Sequence, residues 1–150
     1  RPPSREPRDT VIYDTFEQAL ARFRLMPAQP ADNLYIVDAI ARRSLREVKK
    51  ADGTSGWTWR FDPFMWSRMT RRDPSEDLAA ATCRLAITWG ADSVLFPDEV
   101  KAYVRAQAPA GSLFIEIPQA QHHVLIDQPL ALVTAMRAVL SAWEAEDKAR

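Results

Sequence analysis

The chain has 150 residues, 47% hydrophobic and 27% charged, a composition that buries a core rather than staying disordered. Its 20 basic and 20 acidic side chains cancel to a formal net charge of zero, which argues against nucleic acid as a partner. No apolar run approaches the length of a membrane span and the N-terminus lacks an apolar signal core, so no membrane partner is expected either.

Cys83 is the single cysteine, so no internal disulfide forms and a reducing, cytoplasmic compartment is expected. Residues 1 to 14 begin with a stretch rich in proline and arginine and read as an exposed arm. The chain opens Arg1-Pro2-Pro3 with no initiating methionine, as a fragment or a processed product does.

Thr15 opens a helix, because Thr15-x-x-Gln18 has capping-box spacing and Phe16, Ala19, Leu20 and Phe23 share one helical face. Pro27 and Pro30 stop it. The periodicity predicts a second helix over 32–47, with Ile36, Val37, Ile40 and Ala41 inward and a cationic end at Arg42, Arg43 and Arg46. Residues 57–66 then hold Trp57, Trp59, Phe61, Phe64, Met65 and Trp66, broken by Pro63. That density of rings either buries itself or lines an apolar pocket.

From Asp73 the pattern is regular. Asp73-Pro74-Ser75-Glu76 places a cap, a proline at the first helical position and a carboxylate at the third, predicting a short helix to about Thr82. Leu85 to Trp89 reads as a buried strand closed by Gly90, 97–107 as a helix, and Leu113 to Ile117 as a second strand ended by Pro118. Pro129 to about Glu146 is an amphipathic helix with Leu132, Val133, Met136, Val139, Leu140 and Trp143 on one side. Strand, helix and strand in that order imply a parallel pair and an α/β architecture.

In open parallel sheets the chemistry collects beyond the carboxyl ends of the strands. Here those ends lead into Gly90-Ala91-Asp92-Ser93 and into Pro118-Gln119-Ala120-Gln121-His122-His123. His122 and His123 are the only histidines, so histidine acid/base chemistry uses one of them. Taken alone, either one is a hydrogen-bonded loop residue. Asp92 alone is a turn or cap residue, Asp98 and Glu99 are first-turn acids, and Asp127 caps the last helix. No cysteine or carboxylate stands at metal-ligand spacing around the histidines, and no Gly-rich phosphate loop occurs, so neither metal nor nucleotide cofactor is implied.

Ile117-Pro118 through His122 to Pro129, seven residues beyond the histidine, resembles the histidine loop of the α/β-hydrolase family. Residues 85–92 resemble that family's strand and Gly-x-x-acid loop. The aromatic region from about 16 to 72 sits where the family inserts its helical cap. The resemblance implies the C-terminal part of an α/β-hydrolase parallel sheet (residues 73–150) with a helical cap insertion (15–72). It implies His122 as the catalytic base and Asp92 as its acid, although the family commonly places that acid three positions after the glycine, at Ser93. It also lets Trp57, Trp59, Phe61, Phe64 and Trp66 contact a small apolar substrate.

The family's Gly-x-Ser-x-Gly elbow is absent; Gly53-Thr54-Ser55-Gly56 has the letters at the wrong spacing and reads as a turn. The expectation is therefore a hydrolase portion that is inactive alone and whose partner is a missing N-terminal half with the nucleophile. Within that fold, ester, epoxide, halide and C–C bond hydrolysis differ by nucleophile type. A non-catalytic binding or regulatory protein of the same fold is the alternative, and a self-sufficient α/β interaction module a third. Oligomeric state is open.

Overall fold

Seven helices and four strands follow one another among the described residues of the computed structural model, 11–68 and 73–149. The side chains of Trp66 and Ser67 lie outside that description, as does most of the expected arm. The chain divides into two units: Arg1–Ala28 with Leu34–Arg72, and Gln29–Asn33 with Asp73–Arg150. Five residues from the middle of the expected cap segment thus group with the second unit.

In the first unit the described end of the arm is tied down. Tyr13 pairs with Trp57 through two 2.8 Å backbone hydrogen bonds, and the Val11 carbonyl accepts from the Thr58 hydroxyl at 2.8 Å. Helix α1 (Phe16–Leu20) starts as its capping box predicts: the Thr15 hydroxyl accepts from the Gln18 amide. The reciprocal bond is shifted by one residue, with Gln18 Oε1 accepting from the Asp14 amide. Helix α2 (Leu34–Arg43) ends before the expected Glu47. Residues 45–49 form strand β1 (Leu45–Lys49) instead, antiparallel to β2 (Ser55–Trp59). Pairing with the next strand across a turn, together with burial of Leu45, outweighs the weak helical preference of this charged run.

Gly53, at φ +82°, and the Asp52 carboxylate, which accepts from the Thr54 amide and hydroxyl, close the β1–β2 turn. Of the Gly53-to-Gly56 stretch expected as a turn, Gly53 and Thr54 lie in it, whereas Ser55 and Gly56 already belong to β2. Trp57 meets Phe16 edge-on at 4.9 Å, and Trp59 lies between Phe23 and Phe61 at 6.2 and 6.3 Å. The Asp62 carboxylate accepts from the Phe64 amide and leads into α3 (Met65–Arg68).

The second unit runs α4 (Ser75–Ala79), β3 (Ala86–Gly90), α5 (Asp98–Gln107), β4 (Leu113–Ile117), α6 (Val124–Asp127) and α7 (Pro129–Lys148), the expected order with one unforeseen short helix, α6. Helix α4 stops at Ala79, one turn short of the expected end. Strands β3 and β4 are parallel, with Ala86 opposite Leu113 and Gly90 opposite Ile117. Trp89 is buried, stacked on Phe96 at 5.5 Å, and covered by the Arg105 guanidinium at 4.8 Å. Its indole N–H donates to Glu116 at 2.8 Å, and Glu116 pairs with the Lys101 ammonium at 2.7 Å. An amine as covered as Lys101 is tolerable only when paired.

No residue of α7 is fully buried; Val133, Met136 and Leu140, expected to face inward, are exposed together with Leu130. The amphipathic pattern is present, but half of its apolar side is exposed among the described residues. No helix among the described residues is long and apolar enough to cross a membrane.

The Lys101 and Trp89 hydrogen bonds hold the Glu116 carboxyl below its ordinary value of 4.5, and the Glu116 bond raises Lys101 above its ordinary 10.5. A depressed carboxyl contributes stability that is present above its unfolded value and lost as pH falls through the folded one. The raised amine contributes stability that is present below its unfolded value and lost as pH rises through the folded one. Glu116→Gln should therefore flatten the acid limb of stability, measured as denaturant midpoint against pH below 4.5. A native-like acid limb in that variant would remove Glu116 from the account.

Candidate functional site

Hydrogen bonding continues past the ends of β3 and β4. The Ala91 amide donates to the Ile117 carbonyl and the Asp92 amide to the Ala120 carbonyl, both at 2.9 Å. The two loops therefore leave the sheet closely apposed. Gly90 permits this approach: a Cβ there would collide with the carbonyl oxygens of Gln121 and Ala120. On the other side, Gln119 reverses the chain in the left-handed region, at φ +54°.

The Ser93 amide donates to the Gly90 carbonyl at 3.1 Å, and that tight turn sends the Ser93 side chain inward, where the residue is 6% exposed. Its hydroxyl lies 3.4 Å from His122 Nδ1. The His122 residue is otherwise exposed, with its ring edge-on to that of His123 at 5.3 Å. The arrangement offers an imidazole oriented through Nδ1, with the rest of the ring open to a reactant. Hydrogen bonds at catalytic histidines are often long before substrate binds.

Asp92, the sequence-predicted acid, is exposed and shares a cleft of about 200 Å³ with Asp32, Gln119, Gln121, Asp127 and Gln128. The group facing His122 Nδ1 is the neighbouring Ser93, at the position three after Gly90. The glycine spacing in the sequence pointed to that position, but a serine there lacks the expected carboxylate.

Asp127 does not cap the last helix, whose N-cap is Gln128 with no side-chain cap bond. Its carboxylate accepts from the Gln121 amide at 2.7 Å and from the Gln29 carboxamide at 3.0 Å to each oxygen. Gln29 Oε1 in turn accepts from the His123 amide at 2.8 Å. The Asn33 carboxamide donates to the Ile126 and Asp127 carbonyls. Gln29 and Asn33 gave no signal in sequence, because their partners lie more than ninety residues away.

The aromatic candidates all belong to the first unit. Trp57 and Trp59 are half-buried against Phe16, Phe23 and Phe61; Phe61 is 60% exposed, and the Arg68 guanidinium covers Phe64 at 5.6 Å. The Trp66 side chain lies outside the described residues.

No family model and no curated protein matches this sequence. Solved structures do. The chain is similar to the Mycobacterium tuberculosis esterase Rv0045c in two structures, with TM-scores of 0.60 and 0.58 at 20% and 22% sequence identity. Each likeness covers 87% of this chain but only 43% and 44% of the esterase chain, so the present chain spans less than half the length of that protein. The likeness is one of fold: mixed helices and a small parallel sheet that match part of an esterase of α/β-hydrolase fold.

The Gly90 approach is directly testable. Gly90→Ala forces the histidine loop away from β3 and should cost about 1–3 kcal/mol, as overpacking does. Gly111→Ala meets no atom within 4 Å and carries only the strain of φ +87°, about 1 kcal/mol. Equal midpoint losses in denaturant for the two variants would contradict the close contact.

Proposed function

We propose that this chain is the histidine-bearing portion of an α/β-hydrolase acting on a small apolar ester-like substrate, with His122 as general base. The observation that supports this most is the Ser93–His122 pair at the adjoining carboxyl ends of two parallel strands. A serine oxygen that accepts from Nδ1–H leaves Nε2 bare. In that state the imidazole takes a proton from a nucleophilic hydroxyl or from water.

In this proposal Ser93 orients the ring, and Asp92, the residue before it in the chain, supplies the negative charge that compensates the imidazolium. The aromatic surface of the first unit, in the role of a cap, is the part of the chain suited to an apolar acyl or ring group. The nucleophile comes from polypeptide outside this sequence, which contains no Gly-x-Ser-x-Gly elbow, so the chain alone is inactive. Nucleophile type selects among ester, epoxide, halide and C–C bond hydrolysis. A cytoplasmic location belongs to the same reading and rests on the lone, exposed Cys83.

One observation favours a second reading, a non-catalytic protein of this fold: an uncharged Ser93 stands where the family's carboxylate is expected. Histidine tautomers test the base geometry, and turnover separates the two readings. Imidazole ¹⁵N spectra should show His122 with its proton on Nδ1, and Ser93→Ala should move population toward Nε2–H, while Asp92→Asn leaves the tautomer as it was. A native His122 carrying its proton on Nε2 sinks the base assignment.

Catalysis is tested in a polypeptide joining this sequence to a Gly-x-Ser-x-Gly or Gly-x-Asp-x-Gly elbow. There His122→Ala should lower turnover of a short-chain aryl ester by about 10⁶-fold. His123→Ala should leave most of it, and comparable losses from the two would undo the assignment. The chain alone should bind the dye ANS through Leu130, Val133, Met136 and Leu140; no ANS fluorescence would mean that this face is covered in solution.

A further inference from the structure

Two backbone amides flank His122, those of Gln121 and His123, and both are held by one pair of side chains. The Gln121 amide donates to Asp127 Oδ2 at 2.7 Å, and the His123 amide donates to Gln29 Oε1 at 2.8 Å. The pair is itself joined, since Gln29 Nε2 donates to both Asp127 oxygens at 3.0 Å. All three connections are partly buried, where a broken hydrogen bond leaves a desolvated polar atom. The carboxylate bonds are also charge-assisted, which makes them the stronger kind.

Neither amide belongs to the ladder of a strand or helix. Gln121 and His123 lie beyond the end of β4, and helix α6 begins only at Val124. A loop segment outside regular hydrogen bonding holds an imidazole in place only if something else fixes its peptide planes. Here the fixing groups come from the last residue of α6, Asp127, and from a five-residue segment, Gln29–Asn33, that joins the second unit. Asn33 secures that segment in turn, donating to the Ile126 and Asp127 carbonyls at 2.8 and 3.2 Å.

We propose that Gln29 and Asp127 are positioning residues for His122: a carboxamide–carboxylate clamp that fixes the His122–His123 peptide and, one residue before the histidine, the Ala120–Gln121 peptide. The significance for catalysis rests on His122 being the base, but the clamp itself is a statement about two amides and stands or falls separately. Gln29 uses both ends of its carboxamide, oxygen toward His123 and nitrogen toward Asp127. The change Gln29→Glu keeps the acceptor and turns the donor into a second carboxylate oxygen facing the first carboxylate. The change Asp127→Asn keeps one acceptor for the Gln121 amide and presents an amide donor where Gln29 also donates. Each single change therefore breaks the clamp at the 29–127 junction.

The two changes together exchange donor and acceptor. In the double variant the carboxamide at position 127 accepts from the Gln121 amide and donates to the carboxylate at position 29. That carboxylate still accepts from the His123 amide. All three connections are restored with the heavy atoms in near-identical places. A merely space-filling role for these side chains would not produce such a rescue.

The experiment is residue-resolved amide hydrogen exchange on the whole chain, with the β3–β4 amides as internal reference. Gln29→Glu and Asp127→Asn should each speed exchange at Gln121 and His123 by about 10-fold, the loss of one net hydrogen bond of roughly 1.4 kcal/mol. The reference amides should change by less than about a third of that on a logarithmic scale, and the His122 ring resonances should broaden. In Gln29→Glu/Asp127→Asn, exchange and line width should return to within a few-fold of the native chain. Should a single variant fail to fold, recovery of folding in the double variant supports the clamp, and continued failure overturns it. Unchanged exchange in the singles, or uniform acceleration that includes the β3–β4 amides and is not rescued, also overturns it. In the nucleophile-bearing polypeptide, a clamp that holds while His122→Ala retains turnover would refute the base assignment and leave the clamp intact.

Discussion

A parallel pair of hydrogen-bonded strands ends at one level, and that constraint organises the second unit. Because Gly90 stands opposite Ile117, the loops that follow both strands start side by side, and their backbones keep bonding for two more residues. The approach closes to a distance that leaves no room for a Cβ at residue 90. With the loops that near, the first inward side chain of one, Ser93, meets the first exposed ring of the other, His122. The pair is a consequence of register and of one missing methyl group. Shifting the register by one residue would turn Ser93 or His122 to the opposite face and abolish the pair.

The same register builds the support beneath. Trp89 and Glu116 are cross-strand partners, so indole and carboxylate lie on one face, where α5 delivers Lys101 and Arg105. A salt bridge there is expensive to desolvate, but each of its groups has a second partner. Glu116 takes the indole N–H as well as the ammonium, and Lys101 also reaches Asp98. Two strands are nevertheless a small sheet. The row of Leu130, Val133, Met136 and Leu140 left exposed along α7 shows how much apolar surface this pair leaves uncovered.

What could be read in sequence was whatever depended on local spacing. β3, α5, β4 and α7 were legible because runs of one period were bounded by Gly90, Pro97, Pro118 and Pro129. The hairpin of β1 and β2 was not. Leu45-Arg46-Glu47-Val48-Lys49 follows directly on α2, and its strand state is decided by Trp57 and its neighbours about ten residues on. His122 was legible from its place after a strand and from the family loop. Gln29 was invisible because an isolated glutamine between prolines has no period and its partners are 98 and 94 residues away. Asp127 was visible but assigned to the wrong end of its own segment. A capping role is its local option, and the contact it makes is not local.

The serine at Nδ1 sets what this histidine can do. A carboxylate in that position both orients the ring and offsets the charge it acquires. At about 4 Å and an effective dielectric of about 20, the second contribution is on the order of 4 kcal/mol. A hydroxyl supplies orientation and a net hydrogen bond of only about 1 kcal/mol. Orientation therefore comes from Ser93 on the ring and, in the proposed clamp, from Asp127 and Gln29 on the backbone, whereas charge compensation does not. In the proposed hydrolase that charge falls to Asp92, which is exposed to water and so acts through a higher dielectric. The division separates two jobs that a single acid usually performs together. In that proposal the base is held by a hydroxyl on its ring and by backbone-directed contacts, while its electrostatic activation is left to a group at the surface.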